Sequence, residues 1–134
     1  MGSEGIEGVR RTLALYCHLM DDGAYHEAAD LFGDDGRWTI QGTTHTGAQE
    51  IRELLSTWPS PAGHKHLTVN SVIDVDGDSA TAVSDFVVVR PSGGGGVVVR
   101  GGRYHDTLVR RPGGHWTFAS RENRGTSFVG DERP

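Results

Sequence analysis

The chain has one cysteine and one lysine among its 134 residues. A single cysteine, Cys17, excludes an intrachain disulfide and makes the reducing cytoplasm the expected location. Cys17 stands among the apolar residues of a helical pattern and reads as small core filler. Lys65 alone could carry Schiff-base chemistry. No apolar run approaches the ~18 residues of a membrane span, and the N-terminus shows no hydrophobic leader pattern. The formal charge of −5 argues against non-specific binding to nucleic acid or anionic membranes. Several site motifs are missing too: there is no phosphate loop with its lysine, no G-x-S-x-G elbow and no C-x-x-C. The run Gly93–Gly96 departs from a dinucleotide-binding fingerprint and leads into the strand-like Val97–Val99, so it is expected to be a hairpin loop.

What is present has the pattern of one domain, expected to span residues 1–134. A chain of this length buries roughly two-thirds of its surface on folding. Ile6, Val9, Leu13, Tyr16 and Met20 recur at helical spacing, predicting an amphipathic helix that stops near Asp21-Asp22-Gly23. A short helix is predicted from Tyr25 to Phe32, then a strand over Arg37–Ile40. Thr46-Gly47-Ala48-Gln49 has capping-box form and predicts a third helix from Gly47 to about Thr57. From His66 the period changes to two. His66–Val75, Ser79–Arg90, Val97–Arg110 and His115–Arg124 are strand candidates, separated by Asp76-Gly77-Asp78, the glycine run and Pro112-Gly113-Gly114. Three helices followed by a meander of long strands predict an α+β fold with a sheet curled around helices. A polar tail is expected from about residue 125.

Period-two geometry predicts a shared face for His66, Thr68 and Asn70, and another for Arg100, Gly102, Tyr104, Asp106 and Leu108. Thr117, Ala119, Arg121 and Asn123 would share a third. Each of these polar residues can simply face solvent. His64 and His66 form a His-x-His pair, but a zinc site needs a third ligand, and the sequence places neither His45 nor His105 beside them.

The order and spacing of "YCHLMDDGAYHEAADLFGDDGRW", "TGAQEIRELL", "HKHLTVNSVIDVDGDSATA" and "GGRYHDTLVRRPGGHWTFASR" resemble the SnoaL-like group of the NTF2-like superfamily, in particular its scytalone-dehydratase-like branch. The resemblance covers nearly the whole chain. It implies an NTF2-like cone: three N-terminal helices packed on a strongly curved, mostly antiparallel sheet that encloses a pocket. Members include dehydratases, dehydrohalogenases, isomerases and polyketide cyclases, many with an Asp–His pair. By motif position Asp21 and His66 match that pair, Tyr16 a recurrent pocket tyrosine, Asp106 an acid of some dehydratase branches, and Arg121 a late-strand arginine. Because Asp22 follows Asp21 directly, the acid can slip by one residue.

The resemblance makes His66 the expected base and His64 a loop residue. An imidazole titrates near neutrality and can take and return a proton, while a carboxylate on its other nitrogen holds the tautomer. Tyr16 or Tyr104 can donate to a developing enolate oxygen. Trp38, Trp58 and Asn70 are the expected substrate contacts, the tryptophans facing a flat ring. Neither a cofactor nor a metal is expected. The expected activity is acid–base chemistry on a hydrophobic cyclic or polyketide-like molecule, elimination of water first among the choices, with cyclisation or isomerisation beside it. A non-catalytic binding module and an accessory subunit of a larger enzyme are the alternatives. Apolar residues on both sheet faces, Val83, Val87 and Val89 against Phe86 and Val88, predict a homodimer.

Overall fold

The structure, a computed structural model, describes residues 2–61 and 63–127. Three helices, α1 (Gly2–Asp21), α2 (Tyr25–Asp30) and α3 (Ala48–Leu55), accompany six strands. These are β1 (Arg37–Ile40), β2 (Thr43–Thr46), β3 (Lys65–Asp76), β4 (Ser79–Pro91), β5 (Val97–Arg110) and β6 (Trp116–Ser127). The sheet runs β2-β1-β6-β5-β4-β3. All its pairings are antiparallel except that of β1 with β6. The sheet is curved and unclosed, and the helices fill its concave side, giving the expected α+β cone. Among the described residues no helix is long and apolar enough to cross a membrane.

The apolar stripe of α1 is the reason it lies along β3. Val9, Leu13, Tyr16 and Met20 are all buried, and they meet Phe32, Ile51, Leu55, Leu108 and Phe118 in one core. Burying side chains of this size is worth about 1.5–3 kcal/mol each, so the stripe fixes the helix against the sheet. Gly23, at φ 72°, takes the left-handed conformation that ends α1. The chain then turns into α2, which stops at Asp30, two residues short of the expected end. The reason is local: the Leu31 carbonyl accepts the Phe118 N–H at 2.7 Å.

Two further expectations shift. Helix α3 begins without a side-chain cap at Gly47. Glu50, rather than Gln49, reaches back, accepting the Thr46 N–H at 3.0 Å. Strand β2 was not anticipated, and β6 continues to Ser127, so the beginning of the expected polar tail is strand. The rest of that tail lies outside the described residues.

Two bulges set the faces of the sheet. On β3 the register slips between Val69 and Val72, and Asn70 has φ 54°. Beyond that point Ser71, not Asn70, turns inward, and its hydroxyl lies 2.8 Å from that of Ser84. On β6 the partners step from Thr107↔Ser120 to Leu108↔Phe118, which leaves Ala119 as the extra residue. Trp116 and Phe118 therefore share the concave face with Arg121 and Asn123, and the simple alternation through Thr117 and Ala119 does not hold. At Gly102 a Cβ would sit 2.1 Å from the Arg124 carbonyl oxygen, so the close approach of β5 to β6 requires glycine there.

Candidate active site

Asp21 is the last residue of α1. A carboxylate there faces the negative end of the helix dipole, which disfavours it by about 0.3–1 kcal/mol. The neighbouring strand offsets this. The His66 backbone N–H donates to Asp21 Oδ1 at 2.9 Å and Oδ2 at 3.1 Å, and His66 Nδ1 lies 2.6 Å from Oδ1. The two side chains are only 14% and 9% exposed. An ionised Asp21 assigns the ring proton to Nδ1 and leaves the Nε2 lone pair available. Asp22 is exposed; of the two adjacent acids, the one in contact with the histidine is Asp21.

Tyr16, buried one turn before Asp21, touches the rest of the group. Its ring centroid lies 6.1 Å from His66, 6.0 Å from Trp38 and 5.9 Å from Tyr104, each edge to face. Arg121 comes from β6 and Asp106 from the facing position of β5, and both side chains are wholly buried. Arg121 Nε and Nη2 donate to the two Asp106 oxygens at 2.8 and 3.0 Å. The guanidinium carbon is 3.6 Å from the Tyr104 ring centroid and 4.3 Å from that of Tyr16. Arg121 Nη1 is buried without a partner. Burial opposes the Arg121 charge, yet Asp106 overrides that cost and its proton is held more tightly than usual. Burial pushes the Tyr16 hydroxyl up to about 12, with Arg121 working the other way. Burial likewise raises Tyr104. Both phenols therefore stay protonated and remain donors at any working pH.

Trp38 is fully buried, and its indole N–H donates to Asn123 Oδ1 at 3.1 Å. Trp58, in the segment after α3, lies 5.8 Å from Trp38 and is 36% exposed. Tyr25 ties that segment down by donating its hydroxyl to the Pro59 carbonyl at 2.9 Å. Asn70 departs from expectation. The bulge carries it to the convex face, where its amide donates to Asp85 Oδ2 at 3.0 Å, away from His66. His105 faces Glu122 across β5 and β6, and His45 Nδ1 lies 3.7 Å from Glu50 Oε2. Among the described residues no three His, Cys, Asp or Glu side chains are grouped to hold a metal ion.

The floor of the cone is filled by these rings. Besides a cavity of about 470 Å³ between α1 and β3 that His66 lines, a cavity of about 480 Å³ is lined by His64, Phe86, Val88, Arg90, Arg100 and Asn123 among others. Its volume is in the range of small-molecule sites. Val88 pairs with His66 across β3 and β4, and Phe86 stacks on Tyr104 at 4.3 Å, so the cavity adjoins the site's residues. Of the cavity's polar residues, the sequence brings up His64 as a possible zinc ligand and Arg100 and Asn123 as members of strand faces, and none as a substrate contact. The alternation Phe86, Val88, Arg90 on β4 carries the signal, as does Arg100 on the face of Tyr104 and Asp106.

A family model described as a SnoaL-like domain matches residues 3–122. A comparison with curated proteins finds no match. Among solved structures, a Mycobacterium tuberculosis protein of unknown function is similar at 27% identity and a TM-score of 0.82, over 93% of this chain and 73% of that one. An NTF2-like protein with a cystatin-like fold from Novosphingobium aromaticivorans matches at 27% identity and 0.79, over 93% and 82%. A candidate scytalone dehydratase from the same organism matches at 23% identity and 0.76, over 96% and 95%, a likeness of fold.

Proposed function

We propose, from the premise that this chain belongs to the SnoaL-like domain family, that it is a cofactor-independent acid–base enzyme acting on a cyclic or polyketide-like small molecule. The observation that carries this reading is the 2.6 Å contact between Asp21 Oδ1 and His66 Nδ1, both side chains mostly buried and His66 on the wall of a cavity between α1 and β3. In the proposed step, His66 Nε2 takes a proton from the carbon next to a carbonyl. The electron pair moves into an enolate, whose oxygen receives a hydrogen bond from Tyr16 or Tyr104. As the enolate re-forms the carbonyl, the β-hydroxyl leaves. The imidazolium gives it the same proton, so water departs and a conjugated double bond remains. Asp21 stabilises the imidazolium meanwhile. Asp106 and Arg121 position the two phenols, and of the two tryptophans the part-exposed Trp58 is the one placed to face a substrate ring, Trp38 being buried behind it.

The test is turnover of a bicyclic β-hydroxyketone, followed by absorbance of the conjugated product. His66→Gln should lower kcat on the order of 10²- to 10⁴-fold with less effect on KM. Asp21→Asn should also be severe, because an amide can favour the wrong tautomer. The double variant should be little worse than the poorer single one, and Asp22→Asn nearly silent. Near-full turnover by His66→Gln sinks the reading. The packed floor of the cone favours a second one, a binding module without chemistry, for which His66→Gln would leave ligand affinity unchanged and no parent turnover would be found.

A further inference from the structure

Trp38 and Asn123 make one contact that the acid–base scheme leaves unused. Trp38 is fully buried, and its indole N–H donates to Asn123 Oδ1 at 3.1 Å. An indole nitrogen can only donate, so the amide atom facing it must be the oxygen. Trp38 thereby fixes which way the Asn123 amide is turned. The amide nitrogen, with its two N–H groups, lies on the other branch. Asn123 is half-buried and lines the cavity of about 480 Å³, and its Nδ2 forms no hydrogen bond with any described residue. The chain's other asparagine is held in the opposite sense: Asn70 Nδ2 donates to Asp85 on the convex face.

The strand also keeps room beside this donor. Asn123 pairs with Tyr104 and Gly125 with Gly102, so Gly125 is the next residue of β6 on the concave face, and it lines the same cavity. Neither its backbone nor its packing demands glycine. Its φ is outside the left-handed region, and a Cβ there would meet nothing nearer than the Gly101 oxygen at 4.0 Å. A side chain would fit, and it would take up the space next to Asn123. Ile40, Phe86 and Val88 supply apolar wall around that space. We infer that Asn123 Nδ2 is a binding donor for a ring carbonyl oxygen, and that Trp38 is the positioning residue that aims it. A carbonyl suits the place because it accepts and never donates, while the ring that bears it lies against the apolar wall. Binding at Asn123 makes no use of His66; only the identification of the ketone as a substrate rests on the acid–base reading.

Nuclear magnetic resonance of protein labelled with nitrogen isotope at asparagine tests this with 4-chromanone and with chroman, the same ring system lacking the carbonyl. Two side-chain amide pairs belong to the chain, those of Asn70 and Asn123. 4-Chromanone should move the Asn123 pair downfield and leave the Asn70 pair in place, and chroman should give no downfield shift. The ketone should bind about 3- to 10-fold more tightly than chroman, the worth of one hydrogen bond. Asn123→Asp keeps an acceptor for the indole but replaces the donor by a charge, so it should erase that preference. Trp38→Phe leaves the amide free to turn and should weaken 4-chromanone alone, whereas Gly125→Val should weaken both ligands alike. His66→Gln should keep the shift and the preference, whatever it does to turnover, which separates failure of this subsite from failure of the acid–base reading. Equal binding of the two ligands, a shift of Asn70 in place of Asn123, a preference that survives Asn123→Asp, or no binding of either at millimolar concentration overturns the proposal. The spectra of the parent protein decide the matter even where a variant fails to fold.

Discussion

Replacing Asp106 by asparagine should destabilise the protein severely. Arg121 gives Asp106 hydrogen bonds of 2.8 and 3.0 Å, and neither side chain reaches solvent. Asparagine keeps the shape and one acceptor but removes the charge, leaving a guanidinium whose Nη1 already lacks a partner. The faces of Tyr16, Tyr104 and Phe118, within 4.4 Å of its carbon, help but do not replace a carboxylate. Breaking one side of a buried pair costs about 3–5 kcal/mol. Against the ~5–15 kcal/mol that holds a domain of this kind, that is a large share. At roughly 3–5 °C per kcal/mol for this chain length, the melting temperature should fall by about 10–20 °C. Urea unfolding followed by tryptophan fluorescence, with the slope unchanged, gives the free energy directly. The paired replacement Asp106→Leu with Arg121→Met should recover much of the loss, because no charge is then left buried. A change under about 1 kcal/mol for Asp106→Asn, or a double variant no better than the single, refutes this account. The outcome also decides how activity losses are to be read. A variant that unfolds says nothing of a catalytic role for Asp106.

Pairing of two copies through the convex face is the proposed assembly, since Leu67, Val69 and Val72 on β3 are 46%, 41% and 63% exposed. Light scattering should report twice the 14.4 kDa of one chain, and Val72→Asp should return the single-chain mass; a parent already at that mass ends the idea. Cys17 is buried, with its sulfur 3.2 Å from Thr68 Oγ1, and burial raises its thiol above the ordinary value. A disulfide reagent should therefore react slowly in the native state near neutral pH, faster as pH rises past the usual thiol range, and at once after unfolding. Prompt neutral labelling would contradict the packing. Dialysis against a strong chelator should leave turnover intact, whereas stoichiometric zinc lost together with function would replace the proton-transfer scheme.

The elements that could be read from sequence are those whose pattern has one period throughout. Helix α1 is such a case, as are the long strands with their glycine-marked turns. Strand β2 has only Thr43-Thr44-His45-Thr46, with no apolar alternation to betray it. It exists because Gln41 and Gly42, at φ 53° and 80°, turn the chain back on β1. The bulges were equally hidden. One extra residue leaves the composition of a strand unchanged while reversing every side chain beyond it.

That reversal explains the uneven fate of the candidate site. Asp21, Tyr16 and His66 lie on the near side of any irregularity, so helix spacing and the start of a strand suffice to bring them together. Tyr104 and Asp106 occupy an unbroken stretch of β5 and keep their expected face. Asn70 falls on the bulge and is thrown to the convex side. Arg121 reaches Asp106 because Ala119 absorbs the register slip, after which Arg121 and Asn123 face inward beside Phe118. The choice of Asp21 over Asp22 is of the same kind. Adjacent residues at a helix end point about 100° apart, and which one meets His66 depends on the packing of α1 against β3. Arg90 and Arg100 sit on faces that period two can assign. Arg100 shares the face of Tyr104 and Asp106, where a polar residue can equally reach solvent, and alternation alone does not show that the two arginines line one cavity. What sequence alone withholds here is less the identity of residues than the sheet geometry that decides which of them share a space.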